Sequence, residues 1–138
     1  MLTSKTVYEG DLRTSSVHIL SGDKIITDAP PDNEGLGAAF SPTDLMATSL
    51  ACCMLTIMGI AARTHGFKID GTKAESEKVM ASDPRRVKEI RISLTFPHDN
   101  YNDKEKAIIE HISRTCPVAL SLHPDLNQVV DIKYQKNV

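Results

Sequence analysis

The segment that decides the fold is residues 41–66, SPTDLMATSLACCMLTIMGIAARTHG. Ser41 is a preferred helix-capping residue, Pro42 suits the first helical position, and Asp44 stands where a capping box places an acid. His65-Gly66 is a typical helix end, because glycine adopts the left-handed conformation at little cost. The sequence therefore predicts one long helix that fills most of this segment.

The apolarity of this helix raises the question of a membrane span. Residues 45–62 carry no charge, and about 20 apolar residues suffice to cross a bilayer. Strand-like segments flank the helix on both sides, and small or hydroxylated residues dilute it, namely Thr48, Ser49, Thr56 and Gly59. We therefore predict a helix buried on nearly all sides in a soluble protein, and a membrane-associated protein is the least favoured class.

Strands are predicted on both sides of the helix. Before it, residues 3–9, 13–20 and 24–28 are rich in Thr, Val and Ile, with turn residues between them, and residues 29–40 are expected to be irregular. After it come a polar strand over 69–82, a turn at Asp83-Pro84 and an alternating strand over 86–96. A helix begins at Asn102-Asp103, a short one at Cys116-Pro117, and a last strand covers 129–134.

The predicted order is β-β-β-α-β-β-α-α-β, which is typical of an α+β domain rather than of a doubly wound sheet. We expect one domain over residues 1–138. A helix that is apolar on every face needs cover on every side, and a chain of this size has few elements with which to cover it. A homodimer is therefore expected.

Bulk composition excludes several classes of function. The net charge of -2 and the 4% of aromatic residues argue against a nucleic-acid partner. The N-terminus has no basic stretch followed by an apolar run, so the reducing cytoplasm is the expected location. His111 and His123 flank Cys116 in sequence, but their spacing matches no zinc pattern. We therefore expect no metal and no other cofactor.

Two of the three cysteines are candidate reactive thiols. Cys53 lies inside the long helix, where Ser49, Cys53 and Thr56 share a face, but so do Thr48, Cys52 and Thr56, so helical geometry does not choose between the two sulfurs. Burial as a small apolar residue is the commoner fate of such a cysteine. Cys116 precedes a helix start, where free N–H donors lower a thiol pKa. Filling a gap between helices is the alternative for Cys116.

The sequence resembles the OsmC/Ohr family of thiol proteins that reduce organic hydroperoxides. In residues 41–53 a Pro followed by acidic and leucine residues leads, eleven positions on, to a cysteine, and this register selects Cys53. Cys116-Pro117-Val118 is similar to the family's second motif, and Arg13 is similar in position to an arginine beside the reactive sulfur. The segments 28–31 and 35–37 fit the family's loop before the first motif.

The resemblance implies a mechanism and a set of catalytic residues: Cys53, Cys116 and Arg13. Cys53 would attack the hydroperoxide and become a sulfenic acid, Cys116 would condense with it to a disulfide, and an external dithiol would reduce that bond. Arg13 would favour the thiolate. An apolar pocket at the interface of an intertwined homodimer is also implied, with no cofactor.

One position departs from the family pattern. Thr43 stands where studied members place a Glu that pairs with the arginine, and Asp44 follows it. These two residues are the candidate binding positions, although Asp44 is better suited to capping the helix. The alternative function is therefore a non-catalytic protein of the same fold that binds a small apolar molecule.

Overall fold

The computed structural model describes residues 1–136, which form the predicted order of elements. The strands and helices are β1 (Ser4–Gly10), β2 (Arg13–His18), β3 (Lys24–Asp28), α1 (Pro42–His65), β4 (Lys73–Ala81), β5 (Arg86–Phe96), α2 (Asp103–Thr115), α3 (Pro117–Ser121) and β6 (Asn127–Tyr134). The chain divides into two compact units, residues 1–46 and the residues from 47 onward. The α+β prediction is confirmed.

The first unit is an antiparallel sheet in the order β1-β2-β3. The turn before Arg13 contains Asp11 and Leu12, both with φ in the left-handed region (52° and 65°). Both faces of this sheet are largely exposed, and its exposed apolar residues include Val7, Tyr8, Ile25 and Ile26. A sheet of this kind buries little apolar surface. Backbone hydrogen bonds between its strands and contacts between side chains of neighbouring strands must therefore stabilise it.

The loop between β3 and α1 is irregular, as predicted, with one turn of 3-10 helix at Pro31–Asn33. Its path brings Gly35 against the main chain of Ala29, where a Cβ atom on residue 35 would lie 1.8 Å from the Ala29 carbonyl oxygen. Only glycine permits this approach. The loop therefore has a defined course back toward the end of β3.

Helix α1 begins as the sequence predicts. The Ser41 Oγ accepts a hydrogen bond from the Asp44 N–H at 3.0 Å, and the Asp44 carboxylate accepts one from the Ser41 N–H at 2.9 Å. This reciprocal pair is a capping box. It confirms the capping role of Asp44.

In the single chain, helix α1 is buried along one side only. The buried residues lie on one side of the helix, namely Ala47, Leu50, Ala51, Met54, Met58 and Ala62, and Ile60 is 58% exposed. The helix is long and apolar enough to cross a membrane, a property that core helices of soluble proteins share, and 33% of its most apolar window is buried. Because α1 is apolar on every side, its sequence does not reveal which side packs against the rest of the single chain.

The second unit contains the hydrophobic core. Strand β5 pairs antiparallel with β4 and parallel with β6. The alternation predicted for β5 is confirmed, because Ile90, Ile92, Leu94 and Phe96 are all at most 1% exposed. The β4 strand begins at Lys73 rather than at residue 69, since Thr72 N–H bonds to Ile69 C=O in a tight turn.

Helices α2 and α3 are separated by a single residue, Cys116. Asn102 and Glu105 form a capping box at the start of α2. Pro117 cannot continue α2, because it lacks an N–H, but it suits the first position of α3. Cys116 is therefore the C-cap of α2 and the N-cap of α3 at once.

Candidate functional site

The two candidate thiols come together in the second unit. Cys116 is fully buried, Cys53 is half-buried, and both are free. The Val118 N–H, in the first turn of α3, points to the Cys53 sulfur at 3.5 Å. Cys53 also lies close enough to Cys116 to affect the ionisation of its thiol. The fold thus brings together two sulfurs that are 63 residues apart in sequence.

The electrostatics of Cys116 differ from the expectation drawn from its position before a helix. Burial raises the pKa of the Cys116 thiol, and the interaction with Cys53 raises it further. Backbone N–H groups of Ala119 and Val118 oppose this, as a helix start should, but they do not prevail. The prediction of a lowered pKa at Cys116 is therefore wrong. The physical reason is that α3 has only five residues and its start is buried in the core.

Cys52 is separated from this pair by its position on the helix. Its side chain is exposed, since successive helical residues point about 100° apart. Thr56 donates its hydroxyl to the Cys52 carbonyl at 2.8 Å. The structure therefore decides between the two helical faces that the sequence left open, and Cys53 is the sulfur on the core side.

Arg13 lies at the start of β2 in the first unit and is held by Asp28. Its Nε donates to Asp28 Oδ1 at 2.7 Å and its Nη2 to Oδ2 at 2.9 Å. The hydrogen bonds from Arg13 are the main cause that lowers the pKa of the Asp28 carboxyl, and the interaction with Asp28 raises the pKa of Arg13. This two-point pairing is the strong, directional form of an ion pair.

Sequence reasoning did not find Asp28 as the partner of Arg13. The two residues stand directly opposite each other in the β2–β3 hairpin, so strand register carried the signal. Strand β2 ends at His18 rather than at residue 20, because the loop already begins there and the His18 N–H donates to the Asp23 carbonyl. Thr43, at the position of the family's Glu, instead has its hydroxyl 3.2 Å from the Ser41 Oγ at the start of α1.

A separate cleft of ≈ 650 Å³ lies in the second unit beside the end of α1. Its wall is mainly apolar, with Leu55, Ile60, Phe67 and Ile69, and Arg63 and Lys68 stand among its lining residues. Among the described residues there is no group of three or more His, Cys, Asp or Glu that could hold a metal ion. His111 and His123 are both exposed.

Comparison with known proteins assigns the family. The family profile described as OsmC-like protein matches residues 34–130. The chain therefore belongs to the OsmC-like family. It is 58% identical to a crystal structure from Psychrobacter arcticus 273-4, described as an osmotic stress induced and detoxification response protein, with a TM-score of 0.91 over 96% of each chain.

More distant structures share the fold. An organic hydroperoxide resistance protein OsmC from Legionella pneumophila is 20% identical, with a TM-score of 0.63 over 100% of this chain and 98% of that one. An organic hydroperoxide resistance protein from Elizabethkingia anophelis is 14% identical, with a TM-score of 0.70 over 99% and 98%. A search of curated proteins finds no match.

Proposed function

We propose that this protein reduces organic hydroperoxides with Cys53 and Cys116, in defence against oxidative stress. The Cys53 thiolate attacks the distal oxygen of the hydroperoxide, the O–O bond breaks, and the substrate leaves as an alcohol after protonation. Cys53 is then a sulfenic acid. The Cys116 thiol displaces its hydroxyl as water to form the disulfide, which an external dithiol reduces by exchange.

The observation that carries this proposal is the proximity of the two free thiols, since the Cys53 sulfur accepts the Val118 N–H, two residues past Cys116, at 3.5 Å. Cys116 sits on a helix junction with its sulfur beside Cys53, within a packed core. The raised pKa of Cys116 suits a division of labour, because a buried, protonated thiol is a poor first nucleophile but remains available for condensation. Family membership supports the same chemistry, since two members of the fold are described as organic hydroperoxide resistance proteins.

Arg13 is the proposed partner of the thiolate and the peroxide. Its guanidinium has N–H donors beyond the two that bind Asp28. Such donors would stabilise the sulfur anion and the oxygen that leaves. In this proposal Thr43 and Asp44 serve the start of α1, and Asp28 takes over the pairing with Arg13.

The assembly follows from the same reasoning. We propose a homodimer, because the first sheet and one side of α1 leave apolar residues exposed in the single chain. We further propose that residues 1–138 act as one domain despite the division into two units, that the location is the cytoplasm, and that the thiols act without a cofactor.

A non-catalytic binding protein is the second candidate. The cleft lined by apolar residues together with Arg63, Lys68 and Asp70 favours it, because its volume lies within the range of small-molecule sites. In this alternative the thiols would not react with peroxide.

Thiol counting separates the two candidates. We expect one equivalent of cumene hydroperoxide to consume two thiols promptly in the reduced protein, and mass spectrometry to find a Cys53–Cys116 bond. Cys53→Ser should abolish the reaction, whereas the matched variant Cys52→Ser should keep it, because Cys52 is exposed on another side of the helix. Unchanged thiols after many minutes would support the binding protein instead.

A further inference from the structure

We propose that Gln128 is a positioning residue for the thiol pair, because its side chain ties helix α3 to strand β6 and so holds the Val118 N–H against the Cys53 sulfur. This inference rests on the proposed function, since it concerns how α3 presents its groups to the two cysteines. Gln128 acts through the main chain of the helix and takes no part in the reaction itself.

The carbonyl group of Ala119 lacks a partner within its own helix. Helix α3 ends at Ser121, so His123, four residues after Ala119, lies beyond the helix and does not continue its hydrogen-bond pattern. The Gln128 Nε2 instead donates to the Ala119 carbonyl oxygen at 2.9 Å, in a part-buried position. An unpaired carbonyl would be costly there. The side chain of Gln128 therefore completes the end of α3 from a neighbouring strand.

The main chain of Gln128 is fixed well enough to hold the helix. It lies opposite Ile90 in the parallel pairing of β5 with β6, and Ile90 is fully buried. The preceding residue, Asn127, donates through its side chain to the Glu89 carboxylate at 2.7 Å. The donor thus belongs to a strand whose start is anchored on the central strand of the second sheet.

The segment that Gln128 holds carries main-chain groups that face both thiols. The Val118 N–H donates to the Cys53 sulfur at 3.5 Å, and Val118 directly precedes Ala119. The N–H groups of Val118 and Ala119 also act to lower the pKa of Cys116, against the larger effect of burial. A helix of five residues does not keep its position without contacts from outside. Loss of the Gln128 bond should therefore weaken the donation from Val118 to Cys53.

The experiment measures the ionisation of Cys53 and needs no peroxide. In a Cys52→Ser, Cys116→Ser background, the rate of iodoacetamide alkylation is followed against pH. Gln128→Met keeps the length and the neutral charge of the side chain but removes the donor. The thiolate then loses support from the Val118 N–H, and we expect the midpoint to rise by about half a pH unit, because a hydrogen bond to the charged form of a group favours that form. An unchanged or lowered midpoint overturns the proposal.

A matched control separates this effect from a general loss of structure. Gln135→Met makes the same substitution at an exposed position and should leave the midpoint unchanged, whereas an equal shift there overturns the role of Gln128. If Gln128→Met does not fold, Gln128→Asn is measured instead, because its amide stops short of the Ala119 carbonyl and the same rise is expected.

This proposal and the peroxidase proposal fail separately. A wild type that is inert to peroxide but has a midpoint that depends on Gln128 would contradict the peroxidase proposal and leave this one standing. Prompt loss of two thiols in the wild type, together with an unchanged midpoint in Gln128→Met, would support the peroxidase and overturn the positioning role.

Discussion

The two groups of candidate functional side chains lie in contrasting surroundings. The thiols of Cys53 and Cys116 belong to the packed unit, where the neighbours of Cys116 are core residues. Arg13 and Asp28 belong to a three-stranded sheet whose faces are mostly exposed. Packing positions the sulfurs, whereas directed hydrogen bonds position the guanidinium. Charged groups in a thin sheet need a specific partner, because no core holds them in place.

The largest expected effect concerns the packed thiol that the proposal makes the resolving group. Cys116→Ser should lose catalytic turnover entirely, because the Cys53 sulfenic acid would have no thiol to condense with. A single exposure to peroxide should still oxidise Cys53. Mass spectrometry should find sulfenic or over-oxidised Cys53 and no Cys53–Cys116 bond. Sustained turnover in this variant would show that Cys116 is not the resolving cysteine.

The next largest effect is the difference in stability between the core of the second unit and the first sheet. Leu50→Ala in the core, at 0% exposure, should lower the free energy of unfolding by about 2–5 kcal/mol. Ile25→Ala in the first sheet, where the side chain is 47% exposed, should cost less than about 1 kcal/mol. Urea unfolding measures both, with Leu50→Met as a volume-conserving control. An equal cost at Ile25 would indicate that a second copy covers the sheet.

The smallest expected effect is the pH dependence caused by Cys116. Because burial raises its folded-state pKa above the ordinary value of 9.0, the folded state holds the proton more tightly than the unfolded chain does. Its contribution to stability is therefore complete below about pH 9 and is lost as the pH rises through the folded value. Burial also raises the pKa values of Tyr101 and Tyr134, so the informative quantity is the difference between wild type and Cys116→Ser. The difference in unfolding midpoint between the two proteins should change between about pH 8 and 11, and a difference that stays constant would show that this cause is absent.

Local sequence signals predicted most of the fold. The capping residues of α1, the alternation of β5 and the Cys116-Pro117 break each act within a few residues, so their pattern is visible in the chain. What failed depends on distant partners. The covered side of α1 could not be chosen, because every side is apolar. Strand β2 ends two residues earlier than predicted, because the loop extends beyond the residues that look like a turn.

For the candidate site, too, local signals could be predicted from the sequence and distant partners could not. The pairing of Cys53 with Cys116 came from resemblance rather than from spacing, since no local rule connects residues so far apart. The effect of burial on Cys116 was missed for a related reason: a helix start is visible in sequence, but the core that surrounds it is not. The sequence places Asp28 at the end of a strand and the start of a loop, and its pairing with Arg13 is recognisable, as an acid opposite a basic residue, only once the strand register is known.

The shortness of α3 has a consequence for following the protein in solution. The helix has five residues, begins beside one sulfur and donates an N–H to the other. A helix of five residues is too short for one part of it to persist when the rest is disturbed. A disulfide between the two sulfurs should therefore affect all of its amides together. Hydrogen exchange at Val118 and the residues after it would then report the oxidation state of the protein directly, without a chromophore or an added label.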